Sequence, residues 1–494
     1  MHKTILKIIA ALLLLVMATI LSITINFEKM KDKSNRLVNK EENEDKFGFN
    51  LPVVVIDAGN GKLNRDEKIK GSIKIYNRGE EKSKNYLSDD PELISDILIK
   101  IRGNSSANYP KLQYSIELLK ENGEKRDKKL LGMAEDSDWV LNGPFADKSL
   151  IRNYLAYNVS DKIMDYAPKA KFCEVFVVDG SSKNIKKSHY KGLYLMTEKI
   201  KIGKKKVNIH ETHKNSDETS FIASKDRIKN DIDFKTYGKQ TFLYDYGVIS
   251  TYPKKNITEK NMEYINKTIS EFERALYGNK FNNLKEGYRK YIDENSFIDY
   301  YIINEFFQNT DAGVFSFYFH KDYGEKIKAG PVWDFNIAMG NNKVTGNYYI
   351  PNGFYMNQTS WFDRLLEDKL FVTSLIGRYR ILRNTYLSDE YLTKTIDEAV
   401  KEIGPAKDRN FSIWPMELCN ESDVFIKYGF DHFKNFNNNP EKLLKYFKDN
   451  PKMLEKNNRQ AKSYEEEITK LKKFIVDRGK WMDDNIEKLY KWTK

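Results

Sequence analysis

Cysteine occurs only twice, at Cys173 and Cys419, in a chain of 494 residues. That scarcity excludes a disulfide scaffold and any multi-cysteine zinc or iron–sulfur site. Histidine is nearly as sparse, and His210 and His213 lack the HExxH spacing of a zinc hydrolase. No Walker loop, GxSxG elbow or GxGxxG turn is present. Neither is a fixed-period repeat or a long run of one residue type. What the chain has is apolar material: 40% hydrophobic residues, with 31 Tyr and 28 Phe. This is enough for a large core and excludes general disorder. At ~150 residues per domain, the length holds two to four domains. The 83 basic side chains outnumber the 71 acidic ones, for a net charge of +12. That sign suits nucleic acid, an anionic envelope polymer or a phosphorylated ligand. A codon-driven excess of Lys beside Asn, Ile and Tyr explains it as simply.

Near the N-terminus, His2, Lys3 and Lys7 precede an uncharged stretch from Ile8 to Phe27. Such a stretch spans ~30 Å as a helix, the thickness of a bilayer core. It is longer than a signal-peptide core and has no clear A-x-A cleavage site. Residues 1–27 are therefore expected to be an uncleaved anchor, with a cleaved signal as the alternative. In both cases the remainder works outside the cytoplasm. Residues 28–50 are charged and read as a linker.

From Leu51 the texture changes to short apolar runs separated by turn residues. Strands are expected at Leu51–Asp57, Gly71–Tyr76, Ile94–Ile101, Tyr114–Leu119, Phe172–Val178 and Gly192–Glu198. A helix is expected over Ser149–Met164. After Pro253 the period becomes helical: Met262, Ile265, Ile269, Phe272 and Leu276 follow a candidate N-cap at Thr258. Ser296–Gln308 is apolar around most of its circumference, as in a buried helix. The expectation is a strand-rich lobe over 51–250 and a helix-rich lobe over 251–494, with a ligand cleft between them.

The segment Asn309–Gly340, NTDAGVFSFYFHKDYGEKIKAGPVWDFNIAMG, carries the strongest chemistry. Gly313–His320 reads as a strand, Lys321–Glu325 as a turn and Lys326–Val332 as the returning strand. Asp311 precedes Asp322 by eleven residues, and Asp334 follows Tyr323 by eleven. Equal arms would bring the two carboxylates together, because paired strands lie ~4.8 Å apart. One could accept a proton from an attacking hydroxyl while the other holds a phosphate-bound Mg²⁺. The plainer reading makes Asp311 a turn cap and Asp334 a surface strand end.

Upstream, Arg102–Ser106 (RGNSS), including Ser105, forms a strand–loop–strand link able to lie over phosphates. Lys111 at the mouth of the next strand could reach them, or be solvated. Glu198 ends an apolar strand, where it is either exposed at the edge or, if buried, needs a partner such as Lys111. Five lysines between Lys199 and Lys206 could face an acidic protein or simply water.

Taken in order, RGNSS…PKLQYSIEL, LLGM…DWVLNGPFADKSLIRNYLA, GLYLMTEKI, NEFFQNTD and PVWDFN resemble the CotH family of spore-coat-type atypical protein kinases. DRN…WP at Asp408–Pro415 and the terminal LKKF…DRGKWMDDNI continue the match, over roughly residues 51–490. The resemblance implies an α+β, divergent bilobal kinase-like fold. It also implies transfer of the ATP γ-phosphate to Ser of coat or envelope proteins, with Mg²⁺ or Mn²⁺. By position, Asp311 resembles the catalytic Asp, Asp334 the metal-binding Asp and Lys111 the ATP-phosphate Lys. Arg102, Ser105 and Glu198 join the nucleotide-binding set. The family often has Asp two residues after the WD aspartate; here Asn336 stands there. Ser316 lies five residues after Asp311, where the kinase pattern places a metal-binding Asn. Both can still offer an uncharged oxygen to the metal. The expected partners are a Ser-rich, basic coat or envelope protein and a membrane, not nucleic acid. Two other readings remain: a non-catalytic docking protein of a spore coat or envelope, and a two-carboxylate glycosidase.

Overall fold

The computed structural model describes residues 48–416 and 461–494, apart from 60, 80–83, 179–184, 214–215, 229–232, 235, 238–245, 255–256 and 342–348. The expected anchor, most of the linker and Cys419 lie outside the described residues. Among the described residues, no helix is long and apolar enough to cross a membrane. The class is α+β, as expected.

Seven strands close into a barrel: β1 (Val53–Asp57), β2 (Ile69–Tyr76), β3 (Leu93–Arg102), β4 (Gln113–Leu119), β5 (Asp138–Asn142), β6 (Ala170–Val178) and β7 (Tyr190–Glu198). Their order is β1-β2-β3-β4-β5-β7-β6. The β1–β6 pair that closes the barrel is parallel, with Val53 opposite Glu174. Six of these strands follow the short apolar runs that the sequence marks between turn residues. β5 was not expected, because its apolar run is only Trp139–Leu141, three residues between Asp138 and Asn142. The barrel interior is packed by Ile97, Ile99, Tyr114, Trp139, Tyr194 and their neighbours. Its outer face on β6 and β7 packs against α1 (Arg152–Ser160) within a second, larger core.

A second sheet holds β8 (Phe221–Arg227), β9 (Asp233–Phe234), β10 (Tyr246–Tyr252), β11 (Phe317–Lys321) and β12 (Lys328–Ala329), in the order β12-β11-β8-β10-β9. Its strands come from both sides of residue 250, where the lobe border was expected. The other helices are α2 (Glu259–Tyr277), α3 (Glu294–Phe306), α4 (Phe362–Leu365), α5 (Lys369–Arg383), α6 (Asp389–Ile403), α7 (Ala406–Ile413) and α8 (Tyr464–Asn485). Thr258 caps α2 as its sequence suggests, its side chain accepting from the Asn261 N–H. α3 is buried on most sides. α8 fastens the core: Glu467 reaches Arg152 on α1, and Arg478 reaches Glu305 on α3 at 2.7 Å. The eleven-residue spacing is about three helical turns, so both side chains point inward.

Lys225 on β8 is buried over the Trp361 ring, 3.5 Å from its centroid, and donates to Ser360 Oγ at 2.9 Å. Burial pushes its pKa down to about 7, against the pull of Glu273 and Asp363. The unfolded chain therefore holds this proton over a pH range where the folded one has released it. Stability from this group should rise as pH climbs from about 7 towards 10.5. Denaturation midpoints at pH 6.5 and 9.5 should show wild type gaining on Lys225→Met. Parallel profiles would refute the assignment.

Candidate functional site

The site is assembled where α3 gives way to β11. After Phe306 the chain turns through Gln308, at φ +46, and reaches Asp311. The Asp311 carbonyl accepts from Val314 and Phe315 N–H at 3.2 and 2.8 Å, closing a turn. Gly313 has φ +79, and a Cβ there would lie 2.6 Å from Thr359 Oγ1. Ser316 follows at φ +52. These left-handed residues delay the strand to Phe317, four residues later than expected. The ladder is correspondingly short, pairing Phe319 with Ala329 and His320 with Lys328. At the hairpin tip, Asp322 accepts from His210 N–H and Ser220 Oγ at 3.0 and 2.7 Å.

Backbone bonds tie the two acid-bearing segments at both ends. Met339 N–H donates to the Phe307 carbonyl at 2.7 Å, and Gly330 N–H to the Tyr318 carbonyl at 2.8 Å. Asp311 and Ser316 lie on one segment, Asp334 and Asn336 on the other. All four are half-buried. Asp334 is therefore not the fully exposed strand end of the plainer reading.

Asp334 sits at φ +62, a conformation Asp tolerates better than most residues. Its N–H donates to Tyr157 Oη at 3.3 Å, and the next N–H, of Phe335, to Asn153 Oδ1 at 2.7 Å. Asn336 Nδ2 donates to Asp334 Oδ1 at 2.6 Å. Burial raises the Asp334 pKa, while the nearby Arg102 guanidinium and the Asn336 donors pull it down. Arg102, at the end of β3, stacks over Trp333 at 5.3 Å, and Trp333 stacks on Tyr157 at 5.7 Å. An amide relay continues into the barrel. Asn153 Nδ2 donates to Asn336 and Asn142, and Asn142 Nδ2 donates to Gln113. Gln113 is the cross-strand partner of Arg102.

Arg152 holds the same segment from behind. Its guanidinium donates to the carbonyls of Ala338 and Met339 and to the carboxylates of Asp147 and Glu467. Burial alone would lower its pKa, but those two carboxylates hold it above the usual value. The roles of Asp147, Arg152 and Asn153 were not legible in the sequence, although all three lie in the DKSLIRN motif.

The remaining candidates fall elsewhere. Lys111 is fully buried, with Nζ donating to the Leu193 carbonyl at 2.6 Å and to Asn410 Oδ1 at 2.7 Å. Asn410, in the DRN…WP motif, also accepts from Leu193 N–H. Gly192, at φ +92, lets α7 approach, since a Cβ there would lie 2.6 Å from Asn410 Oδ1. Lys111 thus fastens α7 to the barrel and is not the partner of Glu198. The Glu198 carboxylate accepts from Tyr166 Oη and Lys169 N–H, both at 3.1 Å, and Oε1 is buried without a hydrogen-bond partner. Burial raises its pKa. Glu198 and Tyr157 line a cavity of about 410 Å³ whose walls also carry Lys129, Lys169, Lys171 and Lys205. The loop after Arg102 contains a short 3-10 turn at Ser105–Asn108, and the Ser105 side chain lies outside the described residues. Three of the five lysines at 199–206 are paired: Lys199 and Lys201 with Asp138, and Lys206 with Asp136. They are not simply a solvated loop.

The candidate ligand atoms on these two segments are oxygens, those of Asp311, Asp334 and Ser316. Asn309 Oδ1 and Thr310 Oγ1, just before Asp311 in the chain, are buried without hydrogen-bond partners. Mg²⁺ takes oxygen ligands and is commonly bound by one or two carboxylates plus phosphate and water. This donor set fits it. Among the described residues, no three His, Cys, Asp or Glu side chains form a metal cluster, and a site of that kind does not need one.

Residues 99–482 match the sequence model of a family described as CotH kinase protein. Comparison with curated proteins gives no match.

Proposed function

The chain belongs to the CotH kinase protein family, and on that premise we propose that it is a metal-dependent protein serine kinase acting outside the cytoplasm. The observation that carries this reading is the pair of segments strapped at both ends, bearing half-buried Asp311 and Asp334 with Arg102 near Asp334. In this reading the barrel serves as the N-terminal lobe of a bilobal kinase-like fold. The loop after Arg102 covers the phosphates, and Asp334 would hold a Mg²⁺. The ion supplies charge neutralisation at the phosphate oxygens. Asp311 accepts the proton of the acceptor serine as its Oγ bonds to the γ-phosphorus. The bond from that phosphorus to the β-phosphate oxygen breaks, and ADP leaves. Arg102 meets the developing negative charge.

The acceptor is a Ser-rich, basic coat or envelope protein, and residues 1–27 tether or export the chain. The test is transfer of labelled γ-phosphate to such an acceptor with Mg²⁺ or Mn²⁺, followed by phosphoamino-acid analysis. Asp311→Asn should lower the rate about 10²-fold or more by removing the base. Unchanged transfer in that variant would remove Asp311 from the chemistry. A non-catalytic docking protein is the second reading, favoured by the burial of Lys111 and by the uncharged Asn336 and Ser316. Calorimetric titration with ATP and metal separates the two, since a saturable site argues against a pure scaffold.

A further inference from the structure

We propose that this site takes one divalent cation rather than two, because Asn336 is committed as a hydrogen-bond donor to Asp334 and is not itself a cation ligand. The inference rests on the kinase reading above and specifies its metal stoichiometry. The orientation of an Asn amide is assigned from its neighbours, and here the chain of neighbours has a fixed start. The Phe335 backbone N–H can only donate, and it meets the Asn153 side chain at 2.7 Å. The atom facing it is therefore Oδ1. Asn153 Nδ2 is left to face Asn336 at 2.9 Å and Asn142 at 3.3 Å. A donor at that position requires the Asn336 oxygen. What remains of the Asn336 amide, Nδ2, faces Asp334 Oδ1 at 2.6 Å. An ionised carboxylate only accepts, so the relay is consistent from both ends.

A Mg²⁺ shared by two residues needs an oxygen from each at about 2.0–2.1 Å. Between Asp334 and Asn336 stands an N–H, and the Asn336 oxygen is turned towards α1. An Asp at position 336 would instead put a second carboxylate against the first. Two such groups repel unless a cation lies between them. Kinases hold their second cation partly through a side-chain oxygen of the catalytic loop. The corresponding residue here is Ser316, a shorter side chain with a single hydroxyl in place of that amide oxygen. Asp334 remains as the carboxylate ligand, enough for one Mg²⁺ completed by phosphate and water.

The test counts Mn²⁺ by electron paramagnetic resonance, with the full chain in excess over a non-hydrolysable ATP analogue. Wild type should bind one Mn²⁺ per chain–nucleotide complex, and Asn336→Asp should bind two. In metal-free buffer the variant should melt at a lower temperature than wild type, and Mn²⁺ should stabilise it more. Two ions in wild type overturn the single-cation inference and leave the kinase reading standing. No bound ion overturns both. A single ion in a folded Asn336→Asp chain removes Asn336 as the residue that sets the count. If that variant does not fold, the wild-type stoichiometry decides.

Discussion

Replacing Asp334 with asparagine is expected to abolish phosphate transfer while making the metal-free protein more stable. Asparagine suits the backbone here, since it also tolerates the left-handed conformation seen at φ +62. Its Oδ1 can still accept from Asn336 Nδ2, which donates to Asp334 at 2.6 Å. What disappears is the charge. Burial raises the pKa of this carboxyl above its unfolded value, with Arg102 and Asn336 opposing. For an acid shifted in that direction, the folded state holds its proton to higher pH than the unfolded one. Its contribution to stability is thus greatest at low pH and declines as pH rises through the folded pKa. At neutral pH the ionised group costs stability, and a bound cation would offset that cost. Asp334→Asn should therefore melt higher than wild type without metal and lose the stabilisation that Mg²⁺ gives wild type. Transfer should fall about 10³-fold or more, the scale for removing electrostatic stabilisation of a transition state. Alanine should also be inactive, but it carries extra strain at this φ. Labelled-ATP incorporation and thermal melts with and without Mg²⁺ check both halves. Equal incorporation by wild type and Asp334→Ala would defeat the assignment.

Arg152→Ala is expected to produce the largest loss of stability. Its side chain is fully buried between Asp147 and Glu467, whose nearest oxygens lie at 2.6 and 2.9 Å. Tyr349 Oη also donates to Glu467, at 2.7 Å. Removing the cation leaves two carboxylates without their charge partner in a low-dielectric interior. Breaking such an arrangement by deleting one partner costs about 3–5 kcal/mol. The carbonyls of Ala338 and Met339 each lose the guanidinium as a donor as well. Because those residues continue the segment that carries Asp334, activity per folded molecule should fall too. Lysine should restore only part of the stability, since one ammonium cannot reproduce the planar fork that spans all four acceptors. Urea denaturation of wild type, Arg152→Ala and Arg152→Lys measures the first effect. Initial rates corrected for the folded fraction measure the second. A loss below about 1 kcal/mol for alanine would mean that the buried cluster is not stabilising.

The fold was legible where an element carries a long apolar run or a clear period. β3 alternates along most of its length, and α2 carries its apolar residues at steps of three and four behind a capping threonine. β5 gives a weak signal because only Trp139, Val140 and Leu141 form its apolar run. The hairpin was recognised but drawn too long, because left-handed Gly313 and Ser316 precede its first strand. In the site, the sequence pointed to the two aspartate segments. It misjudged Lys111, whose acceptor Asn410 lies 299 residues away, and it gave Glu198 the wrong partner. No role for Arg152 or Asn153 was foreseen, since their partners Glu467 and Asn336 lie 315 and 183 residues away.

The amino-acid order by itself determined the local periodicities, the family, and the presence of two acids flanking a hairpin. Those properties depend on side-chain spacing and on neighbours within a few residues. Only the tertiary structure decided which polar groups remain half-exposed at the site and which become struts inside the core. Burial makes an unpaired charge or amide costly, so the struts Lys111 and Arg152 are paired, by Asn410 and Glu467 from hundreds of residues away. The same rule turned the Asn336 amide towards Asp334: a backbone N–H on Phe335 fixed Asn153, and Asn153 fixed the rest.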